Sequence, residues 1–439
     1  MEHIYATVVF LGVLLFLLGS GVWVGFSLIG VAFTGMMLFA PGTFGQIGDR
    51  MMTVIWSSSA SWTLTALPLF IWMGEILFRT RLSEDLFKGL SPWMNRLPGR
   101  LLHTNIIGCT IFAAISGSSA ATVATVGKMS IPELRARKYP EDLVIGTLSG
   151  AGTLGLLIPP SIILIVYGVT VNQSISKLFV AGVVPGIVLA SLFMAYVVGW
   201  SLLRPSRMPP AEPRRPFGEK LGQSLYLIPV LLLIAGVLGS IYGGLATATE
   251  AAVFGVVGAL GLSAIQGSLS WETFRESLLG ATRTSAMIAL ILAGAAFLTL
   301  AMGFTGLPRG LASWIAGFNL SKYELILALT VFYILLGCFL DGISAVVLTM
   351  AIVEPMILQA GIDLIWFGIF LVVVVEMAQI TPPIGFNLFV LQGMTGHNIG
   401  YVAKVSLPLF LVMVMAVFLI VVFPDIVMFL PDSMARSAG

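Results

Sequence analysis

The chain has 439 residues, 58% hydrophobic and 10% charged, with a mean hydropathy of +1.03. A soluble domain carries roughly 25% charged residues and needs them to wet its surface, so a soluble globular enzyme is excluded and a polytopic α-helical membrane protein is implied. The net charge of +2 comes without a basic arm, and nothing in it calls for nucleic acid.

The stretches 3–48, 51–74, 101–127, 143–176, 178–203, 221–249, 251–271, 284–308, 377–403 and 405–424 contain no Asp, Glu, Lys or Arg. Each approaches or exceeds the ~20 apolar residues a spanning helix needs. The first has the hydrophobicity of a secretory leader, but Met1, Glu2 and His3 supply no Lys or Arg, and a second apolar segment follows at once. It reads as a retained first helix. Helices are expected near 4–20, 22–40 and 56–78. Segment 83–97, with Leu86, Phe87, Leu90, Trp93 and Met94, is amphipathic and fits an interfacial arm.

Basic residues gather in three places: Arg79, Arg81, Lys88, Arg96 and Arg100; Lys128, Arg135, Arg137 and Lys138; and Arg204, Arg207, Arg214, Arg215 and Lys220. Loops rich in Lys and Arg stay cytoplasmic. With 79–100 and 128–142 on one side, the uncharged run between them enters the membrane and returns, as a re-entrant hairpin over 100–128. Its middle is Ser116-Gly117-Ser118-Ser119-Ala120, a helix-weakening cluster suited to a tip; non-helical backbone at membrane depth needs protein or a water-filled cavity around it. The alternative is one long tilted helix with its serines against a neighbour. A helix over 142–170, broken at Pro159-Pro160, and a helix over 178–203 complete this half.

The pattern then repeats. Ser116–Ala120 is echoed by Asp341-Gly342-Ile343-Ser344-Ala345 at an offset of 225, Leu157–Ile162 by Ile380–Gly385 at 223, and Met73-Gly74 by Met302-Gly303 at 229. Three echoes in one order with nearly one offset mark an internal repeat. The second half is expected to hold helices near 224–242, 246–266 and 283–305, a short segment 308–319, a hairpin 323–354, a helix 363–394 broken at Pro382-Pro383, and a helix 403–424. The divisions are therefore a first repeat 1–204, a cytoplasmic connector 205–223, a second repeat 224–425 and a C-terminal tail 426–439. Five crossings per half invert the second half relative to the first. The fold class is an all-α polytopic membrane protein of inverted repeats, with about ten spans, two re-entrant hairpins and two broken helices, a pattern typical of secondary transporters.

Chemistry is expected where these irregularities fall. A Pro-Pro pair removes two backbone donors; the freed carbonyls suit a hard cation and the amides opening the next half-helix suit a carboxylate. Thr153, Ser161 and Thr381 add hydroxyl oxygens at the breaks, and Ser116, Ser118, Ser119 and Ser344 add them at the tips. Two readings stand for Asp341, a functional carboxylate in mid-membrane and a cap for the second arm of its hairpin. Glu250 and Glu75 read as cap or interface features, and Glu376 as part of a moving core without a substrate role. Enzyme readings fail: His3, His103 and His397 form no metal or triad pattern, and no Walker motif is present. Cys109 and Cys338 lie in apolar runs and read as small buried hydrophobes. The small-residue stretch Ala293–Ala296 reads as a close-packing face.

These residues also carry a family resemblance. The chain resembles, over essentially its whole length, the large membrane subunit of the TRAP (tripartite ATP-independent periplasmic) transporters. The resemblance rests on Ala66–Phe70 with Gly74-Glu75, Ile115–Thr122, Gly155–Ile162, Thr247–Ala252, Asp341, and Thr381-Pro-Pro-Ile-Gly-Phe-Asn387. The family's Thr-Pro-Thr-Glu is Thr247-Ala248-Thr249-Glu250 here, which leaves that helix start less rigid.

The resemblance implies a multi-pass protein of a bacterial or archaeal cytoplasmic (inner) membrane, importing an organic acid such as a C4-dicarboxylate by Na⁺ symport and an elevator movement. It implies two partners, a small four-helix membrane subunit and a periplasmic binding protein, with no cofactor other than Na⁺ as coupling ion. A self-contained ion-coupled symporter or exporter of the same fold is the rival reading. Carried onto this sequence, one Na⁺ site joins Ser116, Gly117, Ser118 and Ser119 to Thr153, Gly155 and Pro159. A second joins Asp341, Gly342 and Ser344 to Gln379, Thr381 and Pro382. Substrate lies between the tips, with Ser119, Ser161, Ser344, Thr381 and Asn387 as its candidate ligands.

Overall fold

The computed structural model describes residues 2–80, 82–210, 216–318, 320–383 and 385–437. Arg81, Arg214 and Arg215, used above to orient the chain, and residues 211–215 of the connector lie outside them. All regular structure among the described residues is helical. The first half runs α1 (Glu2–Gly19), α2 (Val24–Phe39), α3 (Phe44–Ser59), a 3₁₀ turn (Trp62–Thr65), α4 (Ala66–Phe78) and α5 (Leu82–Met94). It continues with α6 (Leu102–Ser116), α7 (Ser119–Ala136), α8 (Glu141–Gly152), α9 (Leu154–Leu157), α10 (Ile162–Thr170) and α11 (Ile175–Leu203). The second half has α12 (Phe217–Ser224), α13 (Ile228–Tyr242), α14 (Ala248–Ile265), α15 (Trp271–Thr305), α16 (Leu307–Ala316) and α17 (Lys322–Gly337). It closes with α18 (Gly342–Gln359), α19 (Leu364–Gln379), α20 (Phe386–Thr395), α21 (Ile399–Val422) and α22 (Asp425–Ser437).

Five of these helices are long and apolar enough to cross a membrane, and eight spans result when each sharply bent pair counts as one; four shorter apolar helices, at 5–19, 24–39, 102–116 and 364–378, stand beside them. Three elements differ from expectation. The helix expected near 56–78 is a bent pair: α3 ends at Ser59, and the chain turns by 57° into the segment beginning at Trp62. The helix expected near 283–305 begins a dozen residues earlier, at Trp271, capped by the Ser270 side chain accepting from the Thr273 amide. Residues 425–437, expected within a tail, form a further helix.

The helices pack as two groups. In the first, α2, α3, α4, α13, α14 and α15 pack on one another. Small residues let α2 and α15 meet closely: a Cβ at Gly294 would stand 2.7 Å from the Gly25 carbonyl oxygen and 2.9 Å from Leu28 Cβ. In the second group, α9, α10, α17 and α18 pack on α19, an apolar helix buried at all sixteen positions, as expected of a helix hydrophobic all round, and the first hairpin packs on α8, α9 and α20. α6 and α7 form an antiparallel pair turning at Gly117, since Gly108 faces Val126. α17 and α18 turn near Asp341, and the Tyr333 and Thr349 hydroxyls are bonded at 2.7 Å.

The start of α14 shows how a local signal fixes an element. Thr247 and Glu250 form a reciprocal cap, in which the Thr247 amide and hydroxyl each donate to Glu250 Oε2 at 2.8 Å. This satisfies backbone donors that a helix end otherwise leaves open. Thr247→Ala is expected to lower stability by ~1 kcal/mol, read as a lower thermal midpoint of the purified protein with substrate uptake retained.

Candidate functional site

Both hairpins end on short polar turns, and each turn is held by its own hydroxyls. At the first tip Gly117 takes the left-handed conformation (φ 57°) that lets α6 stop and α7 start within two residues. Ser118 caps α7, accepting from the Ala121 amide at 3.4 Å. The Ser116 hydroxyl lies 2.8 Å from Thr122 Oγ1 and donates to the Ser118 carbonyl at 3.2 Å. Thr122 Oγ1 donates to the same carbonyl at 2.7 Å. The turn is thus a cluster of oxygens without a charged partner.

The first break packs directly on this tip. α9 ends at Leu157, and α10 restarts at Ile162 after Pro159-Pro160, whose peptide bond is cis. A Cβ at Gly155 would stand 2.6 Å from the Ser118 carbonyl oxygen, 2.7 Å from Ser119 Cα and 2.7 Å from Thr122 Oγ1. A Cβ at Gly117 would stand 3.0 Å from the Pro160 carbonyl oxygen. Tip and break meet backbone to backbone because a glycine stands at each contact, Gly155 against Ser118 and Gly117 against Pro160.

The second tip meets the second break in the same manner. Asp341 caps α18, its Oδ2 accepting from the Ile343 and Ser344 amides at 3.1 and 3.2 Å. The Cys338 thiol donates to the Pro382 carbonyl at 3.4 Å, and a Cβ at Gly342 would stand 2.7 Å from Val375 Cγ1 of α19. At the break the Thr381 hydroxyl donates to the Met377 and Ala378 carbonyls at 2.9 and 3.0 Å. The Pro382-Pro383 bond is also cis.

One cavity of about 520 Å³ joins the two tips. Ser116, Gly117, Ser118 and Ser119 line it from the first, Asp341 and Gly342 from the second, Leu156 and Ile162 from the first break, and Gln379 and Phe386 from the second. The facing wall comes from the other helix group, with Gly74, Glu75 and Phe78 of α4 and Thr284 and Met287 of α15. Of these, Thr284 and Met287 carried no signal in the sequence. Gly74-Glu75 did, as half of an internal echo, and a Cβ at Gly74 would stand 3.0 Å from the Ile115 carbonyl oxygen just before the tip. Glu75 pairs with Arg79 at 3.4 Å.

The remaining candidates lie outside the cavity wall. Thr153 is buried and donates to the Gly150 carbonyl at 2.6 Å. Ser161 is buried, caps α10 through the Leu164 amide at 3.4 Å and bonds the Leu156 carbonyl. Gly155 and Pro159 stand behind the first tip, and Pro382 and Thr381 behind the second. Ser344 and Asn387 are buried with side-chain polar atoms that have no hydrogen-bond partner, and a Cβ at Gly152 would stand 3.5 Å from Asn387 Nδ2.

Two hairpin tips set against two interrupted helices, enclosing a small cavity within an apolar helical body, define a polytopic membrane transporter. Comparison with known proteins agrees. Residues 11–426 match the family model described as Tripartite ATP-independent periplasmic transporter, DctM component. The chain is 32% identical to the C4-dicarboxylate TRAP transporter large permease protein DctM of Pseudomonas aeruginosa, covering 92% of this chain and 93% of that one. It is also 32% identical to the Isethionate TRAP transporter permease protein DctMQ of Oleidesulfovibrio alaskensis, over 92% of this chain and 64% of that protein's length. Among solved structures, the Alcanivorax borkumensis YdaH transporter shares the fold, with a TM-score of 0.62 at 15% identity over 84% of this chain and 86% of that one. The chain belongs to the DctM family, the large permease subunits of the TRAP transporters. It is a multi-pass inner-membrane protein and a transport subunit, not an enzyme.

Proposed function

We infer that the chain forms the transmembrane path of an Na⁺-driven organic-acid importer. Substrate arrives on a periplasmic binding protein, a small four-helix membrane subunit stands beside the chain, and the hairpin-and-broken-helix group slides as an elevator past α2–α4 and α13–α15. The observation that carries this reading is the cavity itself, where both tips and both breaks converge on a wall contributed by the other helix group. Neutral oxygens clustered at the first tip suit a desolvated alkali cation, and the amides opening α20 after the second break, which carry no side-chain cap, suit an anion. The first ion site is assigned to Ser116–Ser119 with Thr153, Gly155 and Pro159, the second to Asp341, Gly342 and Ser344 with Gln379, Thr381 and Pro382. Ten spans, a cytoplasmic connector at 205–223 and the absence of any cofactor belong to the same reading. The names of the relatives give C4-dicarboxylate and isethionate; both are small organic anions, and a carboxylate of that size is the substrate class proposed.

The test is uptake of labelled organic acids into proteoliposomes, with binding protein and small subunit added or omitted, and with or without an inward Na⁺ gradient. Uptake that requires every partner and Na⁺ is expected, with Ser119→Ala and Thr381→Ala each reducing its Na⁺ dependence. Uptake by this chain alone would replace the reading with a self-contained symporter. Uptake indifferent to Na⁺ would remove the ion sites.

A further inference from the structure

The first tip has an acidic neighbour that the ion-site assignment does not use. Glu376 lies on α19 one turn before Gln379, is 1% exposed, and neither of its carboxylate oxygens has a hydrogen-bond partner. The Ser119 hydroxyl of the first tip sits beside it without a formed bond. Gln379, three residues on and therefore on the same side of the helix, reaches the cavity wall, and its Nε2 is also without a partner.

A carboxylate buried in apolar surroundings keeps its charge only when a counter-charge stands beside it, and otherwise holds a proton. Among the described residues no side chain forms an ion pair or hydrogen bond with Glu376. The helices packed on α19 are α9, α10, α11, α17, α18, α20, α21 and α22. Tyr167 is bonded to the Leu364 carbonyl and Tyr333 to Thr349. The first tip, for its part, presents Ser116 Oγ, the Ser118 carbonyl, Thr122 Oγ1 and Ser119 with no cation among them. One side offers a buried carboxyl group without a partner and the other an uncharged oxygen cluster, and Ser119 stands between them.

We propose that Glu376 is the anionic partner of the cation bound at the first hairpin tip, a charge-balancing residue reaching the ion through Ser119. This rests on the Na⁺ reading of that tip and adds to it the source of the counter-charge. The consequence is a reason for coupling: the carboxylate is stable at this depth only with the cation beside it, where the two charges cancel and the tip closes on a neutral core. The elevator group would then carry cation and carboxylate together across the apolar interior.

The experiment is a thermal-unfolding titration of the purified chain in detergent with NaCl, at constant ionic strength in choline chloride. Ligand binding to the folded state raises the midpoint with the logarithm of concentration above Kd, so no transport assay is needed. The wild-type midpoint is expected to rise with NaCl. Glu376→Gln is expected to need at least about tenfold more NaCl for the same rise, a loss of ~1.4 kcal/mol in cation binding, while in choline chloride alone it equals or exceeds the wild type, because an amide of nearly the same volume needs no counter-charge. A structural role alone would lower the Glu376→Gln midpoint in both salts. Glu376→Asp, which keeps the charge on a shorter stem, is expected to shift the half-point less than the amide does and serves if the amide does not fold. A Glu376→Gln or Glu376→Asp titration that overlays the wild type overturns the proposal and leaves the ion site standing. A wild type that does not respond to Na⁺ overturns both, which separates the two failures.

Discussion

Gly155→Ala is expected to reduce substrate uptake by at least about tenfold, the equivalent of ~1.4 kcal/mol, although the residue bears no functional group. The new methyl carbon would fall 2.6 Å from the Ser118 carbonyl oxygen and 2.7 Å from Ser119 Cα, with Thr122 Oγ1 also at 2.7 Å. Two of those three atoms are backbone, so no side-chain rotation relieves the contact. Either α9 or the tip must move, and overpacking of this sort costs about 1–3 kcal/mol. One of the atoms displaced, the Ser118 carbonyl oxygen, belongs to the first ion site, and Ser119 of that site moves with it. The Na⁺ concentration for half-maximal uptake should therefore rise along with the loss of rate. Gly303→Ala is the control: a Cβ there meets nothing within 4 Å, and alanine is the better helix former, so uptake should persist with equal or slightly greater stability. Equal uptake by Gly155→Ala and the wild type would show that the approach of α9 to the tip has no part in transport.

That contact also marks the limit of what the sequence disclosed. The tips and breaks were legible because Ser-Gly-Ser-Ser and Pro-Pro are strong punctuation inside apolar runs, and because each has a counterpart in the second half at nearly one offset. Helices α3 and the start of α15 were not. Asp49 and Arg50 interrupt the apolar pattern over the first, so its helix was expected only from residue 56, and Glu272, Arg275, Glu276 and Arg283 interrupt it over the second. Both carry a cap that was present to be read: Thr43 with Gln46, whose side chain accepts from the Thr43 amide at 3.0 Å, and Ser270 with Thr273. Hydropathy finds membrane-depth helices and passes over amphipathic ones, whereas capping residues report helix starts regardless of depth.

The site was legible in kind and not in its walls. Chain order could bring Ser119 near Gly155, since a hairpin and the helix after it are neighbours. It could not bring Thr284 and Met287 to the same cavity, because that meeting depends on how two helix groups stack. Nor could it distinguish Gly155 from the other 47 glycines, since a close approach of backbones leaves no mark in composition. Asn387, Ser344 and Glu376 were visible as polar residues in apolar runs, but their lack of partners is a tertiary fact.

Asp341 was open to two readings, cap and chemistry, and the geometry supports both at once. One carboxylate oxygen, Oδ2, accepts from the Ile343 and Ser344 amides and starts α18, while the residue lines the cavity opposite the first tip. Asparagine caps helices about as well as aspartate, whereas alanine at such a position costs about 0.5–2 kcal/mol. Asp341→Asn should therefore leave the thermal midpoint close to the wild type, and Asp341→Ala should lower it. Uptake is expected to separate from stability. Both variants lose the negative charge at the cavity, so both should lose Na⁺-driven uptake by tenfold or more, the scale of ~1.4 kcal/mol in ion binding, even though only alanine unsettles the hairpin. Measuring midpoint and uptake on the same preparations makes the distinction. Full uptake by Asp341→Asn with a defect in Asp341→Ala would assign the residue to the cap alone and leave the second ion site to the neutral oxygens of Gly342, Ser344 and the break at 380–383.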